Sequence, residues 1–600
     1  MKLYQAAALC FILLASCNSQ QPEPADKRTV EVATTSGVTT GTESTPGVMF
    51  WPDIPYAQAP VGELRWRAPR ALESSERVIP ERKSGAICLQ KASTTAGLAG
   101  DDLVGSEDCL YLDIRGPVAP SSKPRAVMVW IHGGANTTGY KGNYDFSTLV
   151  AREGVIVITL NYRLGVLGWF THPAIQRGQS GLDLASNFGT LDIIQALRWI
   201  GDNVERFGGN PDNITVFGES AGGHNIYALL ASPLAEGLFH RAIVQSGYMA
   251  SANLKNAFNQ DGENQTIARG GWQLEQALFP TGQSANPRLE VNAEALRSVS
   301  GEELLTAYQN LPEGTYTPLT TADDVVIPKI GMLDSLADPR YAKGIPVISG
   351  SNKDEVTLWL GLHRYYVDTS YLFTRWLPPR ITLHDPDLYR YWVEVRSHAW
   401  KLRGVDEPLA ALEAAGYNSL YAYRFDWDDQ VSSFFADFPT IIGAAHGTDI
   451  SFVTGDYRYG PISDYVYPEG PLRDQMEQTM MRAWANFARG GTPGNAGSTH
   501  WDSYSVASPA FMVLDIDKNL ALATEAKTLA SLLADVDKTP LLSSLQKCLL
   551  VWDSLTKVGE PDYTSYHRWN EGQCTDTNAA LEQDRIDAQL REEHGSETVF

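Results

Sequence analysis

The chain has 600 residues, 43% of them hydrophobic and 10% aromatic, with fifteen tryptophans. That content builds a large core and excludes a disordered or low-complexity protein. The net charge of −23 argues against nucleic acid as a partner and reads as a solvated acidic surface.

The chain opens on a targeting pattern. Met1-Lys2 supplies positive charge, and residues 6–15 are apolar but too few to span a bilayer as a mature helix. Leu14-Ala15-Ser16-Cys17 resembles a bacterial lipobox, in which cleavage precedes a cysteine that is then acylated. The following NSQQPEPADKR (18–28) is polar and suits a tether. The expectation is an exported protein held to a membrane by a lipid on Cys17, facing the periplasm or the cell exterior. Beyond Cys10 and Cys17, four cysteines remain. An even number in an exported chain predicts two disulfides with three possible connectivities. The local choice is Cys88–Cys109 with Cys548–Cys574; each closes a loop of about twenty residues, worth roughly 3 kcal/mol.

Residues 30–70 read as a β-hairpin region, and 107–113 alternate like a strand. Residues 126–131 and 154–160 are continuous apolar runs, suited to strands buried on both faces. Helical spacing over 187–207 aligns Leu191, Ile194, Leu197, Ile200 and Val204 on one stripe. Further strands are expected at 214–217, 242–245, 345–348, 420–425 and 511–514, and an amphipathic helix at 479–489. Strands alternating with helices predict an α/β fold with a mostly parallel or mixed sheet. Segments 262–321 and 357–415 read as helical, irregular insertions over its C-terminal edge, where such folds bind ligands.

The strand at 214–217 runs into Gly218-Glu219-Ser220-Ala221-Gly222, and a helical stretch follows. This is the context in which G-x-S-x-G lifts a nucleophilic serine above the sheet edge. Acyl transfer also needs N–H donors where the oxyanion forms. Trp130-Ile131-His132-Gly133-Gly134-Ala135, a strand ending in small residues, offers Gly134 and Ala135, with Ala221 as the third. The base is expected late in the chain, and His446, among small residues, is the candidate. His224 sits one turn after Ser220 and reads as core. His363, His384 and His398 fall in the insertions, and His500 and His567 in polar segments. The acid is expected just past the strand at 345–348, where Asp354 and Glu355 are equivalent by position. A histidine base predicts activity rising with pH through about 6.5.

With these residues in place the chain resembles the type-B carboxylesterase family, which includes cholinesterases. The likeness rests on SEDCLYLDI (106–114), WIHGGA (130–135), TLNYRLGVLG (159–168), the run from 187 to 223 ending in GESAGG, NKDE (352–355) and HGTDISFV (446–453). It implies an α/β-hydrolase fold, a Ser220–His446–Glu355 triad acting on small-molecule esters, and no metal or cofactor. It implies that Glu355 rather than Asp354 is the acid, and that Glu219, Ser246 and Asp449 hold a water network beside the triad. It implies the Cys88–Cys109 disulfide too. Amides, lactones or thioesters are alternative substrates on the same machinery, and a non-catalytic binding protein is the alternative of another class. The chain departs from the family after the oxyanion loop, where Asn136-Thr137-Thr138 replaces the usual aromatic residues. The expected organisation is a signal peptide (1–16), an anchored tether (17–28), the hydrolase domain (29–574) and a loosely held polar tail (575–600).

Overall fold

The computed structural model describes residues 28–72, 77–80, 85–94, 97–280, 291–312, 319–371, 379–516 and 519–599. The signal peptide and Cys17 lie outside them.

A twelve-stranded sheet forms the centre. Its strands are β1 (Thr29–Thr34), β2 (Gly37–Thr45), β3 (Val48–Pro55), β4 (Tyr111–Pro117), β5 (Arg125–Ile131), β6 (Ile156–Leu160), β7 (Gly209–Glu219), β8 (Arg241–Gln245), β9 (Val347–Asn352), β10 (Leu420–Phe425), β11 (Ala510–Leu514) and β12 (Ala521–Thr524). The spatial order is 1-2-3-4-6-5-7-8-9-10-11-12. From β6 across to β11 neighbouring strands are parallel. The N-terminal strands and the final pair are antiparallel. The sheet is therefore mixed with a parallel centre, as the alternation of elements predicts.

The parallel centre follows from sequence. In β5, Val127, Val129 and Ile131 enter one core while Met128 and Trp130 enter the opposite one, because side chains alternate across a strand. Helix α1 (Phe188–Asn203) covers the first face with Leu191, Ile194, Leu197 and Ile200, all buried. Each contributes about 1.5–3 kcal/mol relative to exposure. On the first face also lies α2 (Ala221–Ala231).

A third apolar cluster is separate. In it α3 (Pro386–Trp400) packs against α5 (Leu529–Lys538) and α6 (Ser544–Thr556). The opposite sheet face is covered by α4 (Pro471–Gly490), through Met480, Met481, Trp484 and Phe487. Disulfides join Cys88 to Cys109 and Cys548 to Cys574. The end of the chain is not a loose tail. Residues Ala579–His594 form α7, His363 Nε2 lies 3.1 Å from Asp587 Oδ1, and the Val599 N–H donates to the Leu362 carbonyl at 2.9 Å. Polar composition hid this because the helix is held by side-chain and backbone partners elsewhere in the chain, Asp553 on α6 as well as His363 and Leu362. Among the described residues no helix is long and apolar enough to cross a membrane.

Candidate active site

Strand β7 ends at Glu219 and α2 begins at Ala221. Between them Ser220 takes φ 58°, ψ −121°, a conformation costing a non-glycine residue about 1–3 kcal/mol. Its N–H donates to Gln245 O and its carbonyl accepts from His224 N–H, each at 2.9 Å, so the backbone holds the strain. A Cβ on Gly222 would stand 2.0 Å from Ile131 O, so only glycine lets α2 start this close to β5.

Beyond β5 the chain turns through Gly134 (φ 101°) and Ala135 (φ 54°). The Gly134 carbonyl is held by the N–H groups of Thr137 (3.0 Å) and Thr138 (2.9 Å). The exit of this loop is held by Gln90, whose Oε1 accepts from Gly139 N–H at 2.7 Å while Nε2 donates to Gly139 O at 3.0 Å. The loop, Ser220 and the N-terminus of α2 thus meet at one sheet edge.

His446 and Glu355 converge there from loops after β10 and β9. The imidazole Nδ1 lies 2.6 Å from Glu355 Oε2, and Glu355 is wholly buried. Asn352 N–H donates to the other carboxylate oxygen at 2.7 Å. Asp354 faces elsewhere: its Oδ2 accepts from Ala444 N–H at 3.1 Å, bracing the histidine loop. Geometry therefore separates two carboxylates that position left equivalent. On its other side, His446 Nε2 is 3.1 Å from Glu219 Oε1, without hydrogen-bond geometry. Among the described residues Nε2 has no hydrogen bond, to Ser220 or any other group; such catalytic contacts tighten on substrate binding.

Charges dominate this centre. Burial alone would lower the His446 pKa, but the Glu219 and Glu355 carboxylates beside it raise it to about 9. Burial lifts the Glu219 carboxyl to about 8. Asp449 is also raised by burial, against a 2.8 Å hydrogen bond from Gln245 Nε2. Asp449 further accepts from Tyr423 OH and Asn352 Nδ2. The structure brings Glu219 to His446; no direct hydrogen bond among the described residues ties Asp449 or the Ser246 hydroxyl to Glu219.

An aromatic wall, of which residue patterns did not reveal Trp400, stands beside the imidazole. Trp359 and Trp400 stack on one another with centroids 5.9 Å apart, and stand 5.0 and 4.9 Å from the His446 ring. Trp400 is the last residue of α3, and no local motif marks it. His224 proves to be a core residue, hydrogen-bonded to Tyr248 O and Thr320 Oγ1. His398 pairs with Glu525.

The model of the carboxylesterase family matches residues 25–371 and 405–531. The chain belongs to that family. It is 32% identical to the para-nitrobenzyl esterase of Bacillus subtilis over 510 residues, which span 81% of this chain and 94% of that relative. Carboxylesterase 3 of Homo sapiens is 30% identical over 537 residues, 83% and 89% of the two chains. Among solved structures, a thermophilic PNB esterase superposes with TM-score 0.66 at 29% identity, covering 83% of this chain and 98% of that one. This family member is a carboxylic ester hydrolase with the α/β-hydrolase fold. The family match omits 372–404 and everything beyond 531. Those stretches contain α3, α6 and α7, and α3 and α6 pack on one another.

Proposed function

We propose that this esterase works through an acyl-enzyme formed on Ser220. His446 Nε2 takes the hydroxyl proton as Oγ bonds to the ester carbonyl carbon. The carbonyl oxygen becomes an oxyanion received by the N–H groups of Gly134, Ala135 and Ala221. The intermediate collapses, the C–O bond to the alcohol breaks, and His446 returns its proton to the leaving oxygen. Water then attacks the acyl-enzyme by the same route in reverse, and the carboxylic acid leaves. Glu355 fixes the tautomer with the proton on Nδ1 and stabilises the imidazolium. The observation that carries this reading is the 2.6 Å contact between His446 Nδ1 and Glu355, at the same sheet edge as the strained serine.

The pH profile tests it. A base must start neutral, and the carboxylates hold the imidazole proton above its ordinary range, so the active form is reached at higher pH than for a free histidine. We expect kcat/KM to rise with pH along a limb displaced above 6.5, towards the value of about 9. Glu219→Gln removes the leading charge and should move that limb to lower pH. A rate flat from about pH 5 to 9 would remove His446 from the role of base, and a limb that stays put in the variant would remove Glu219 as the cause of its displacement.

We also propose that the mature chain begins at Cys17 and is tethered by lipid to a bacterial membrane. The support is the Leu14-Ala15-Ser16-Cys17 pattern and the polar stretch between it and β1. In a bacterial host the protein should incorporate labelled fatty acid and partition into detergent, and Cys17→Ser should abolish both. An unlabelled, fully aqueous wild-type protein would defeat the proposal.

A further inference from the structure

The loop after β5 continues from Ala135 into Asn136. Its side chain is buried, and it faces a second buried amide, Asn225 on α2. The two bond reciprocally: Asn225 Nδ2 donates to Asn136 Oδ1 at 2.8 Å, and Asn136 Nδ2 donates to Asn225 Oδ1 at 3.4 Å. Asn136 is fixed in two further ways. Its carbonyl accepts from Gly165 N–H at 2.6 Å. Its φ of 58° lies in the left-handed region, which asparagine tolerates better than most residues.

We infer that the Asn136–Asn225 pair is a positioning clamp that sets the distance between the two halves of the oxyanion hole. The inference rests on the triad reading above. Gly134 and Ala135 lie on the loop after β5, and Ala221 lies on the first turn of α2. Their N–H groups must converge on one oxygen, and donors lose effect steeply when displaced from where the charge develops. Asn136 is adjacent to Ala135, and Asn225 is one turn beyond Ala221. The paired amides link these two elements side chain to side chain. An apolar pair would fill the space without the cost of burying polar groups, but it would not be directional. The clamp acts through Gly134, Ala135 and Ala221 and touches no reacting atom itself.

The test uses Asn136→Gly, Asn225→Ala and the double variant. Glycine keeps the left-handed backbone at 136, and the double variant leaves neither amide buried without its partner. Two quantities are read: kcat and KM for a chromogenic ester, and the inhibition constant of a trifluoromethyl ketone. Ser220 adds to that ketone, so its carbonyl oxygen becomes a bound oxyanion. We expect each single variant to lose ten- to hundredfold in kcat with KM within threefold. The ketone should weaken in step with kcat/KM. The double variant should be no worse than the worse single one, because both remove the same clamp. Unchanged kcat and ketone affinity with only a lowered Tm would make the pair a packing feature and overturn the inference, as would a loss confined to KM. Failure of all three variants to accumulate folded protein would assign the pair to folding and overturn it too. Failure of the triad reading is distinguishable, since the wild-type enzyme would then not bind the ketone as a Ser220 adduct.

Discussion

Ser220→Ala is expected to lower kcat for a chromogenic ester by about 10⁶-fold, the scale on which nucleophile deletions fall. The fold should survive the change. Ser220 contributes backbone bonds to Gln245 and His224, which alanine retains, and its hydroxyl makes no hydrogen bond among the described residues. Alanine carries the same Cβ, so the strained φ of 58° is neither relieved nor worsened. Thermal unfolding should therefore shift little while turnover collapses to a residual rate supported by the oxyanion donors and substrate binding alone. The check is kcat together with Tm on purified protein. A variant within tenfold of wild-type kcat would show that another group attacks the ester.

Glu355→Gln is expected to cost about 10⁴-fold in kcat, as changing the triad acid to its amide does elsewhere. Glutamine fills the same volume and can still accept from Asn352 N–H. It would then present an NH₂ to His446 Nδ1, which must become an acceptor. The imidazole proton moves to Nε2, where the lone pair is needed to receive the serine proton. Asp354→Asn provides the contrast. That carboxylate braces Ala444 N–H at 3.1 Å and does not touch the imidazole, so its loss should appear in Tm more than in kcat. If the two substitutions exchange these outcomes, Asp354 is the acid.

Much of this site was legible because its parts are short-range. A strand, a strained turn and a helix lie together within residues 209–231 around Ser220, and small residues around the turn announce close backbone approach. The strand at Leu420–Phe425 has the bounds its apolar run predicts. Its neighbour was displaced: apolarity marks 345–348, whereas β9 is Val347–Asn352. The last residues of β9, Ser349-Gly350-Ser351-Asn352, are polar because that end of the sheet carries the site, so function masked the strand signal. Helix α4 begins eight residues before the predicted 479, since its first turns are polar and only its later turns carry the dense apolar stripe. Which carboxylate reaches His446 follows the family likeness but not residue type, as Asp354 and Glu355 are carboxylates one position apart. Trp400 was not legible at all. Its place against His446 depends on α3 being pressed inward by helices more than a hundred residues downstream.

That dependence has a temporal side. A chain is synthesised N-terminus first. Ser220, Glu355 and His446 have all emerged before α5 begins at Leu529, and the Cys548–Cys574 bond cannot form until Cys574 is out. The residues proposed as nucleophile, base and acid are thus synthesised ahead of the support for Trp400. A nascent or prematurely stopped chain can own every reacting group yet present a different wall to its substrate. In this esterase the last stretch to be translated completes the aromatic wall beside a centre whose proposed reacting groups were already encoded upstream.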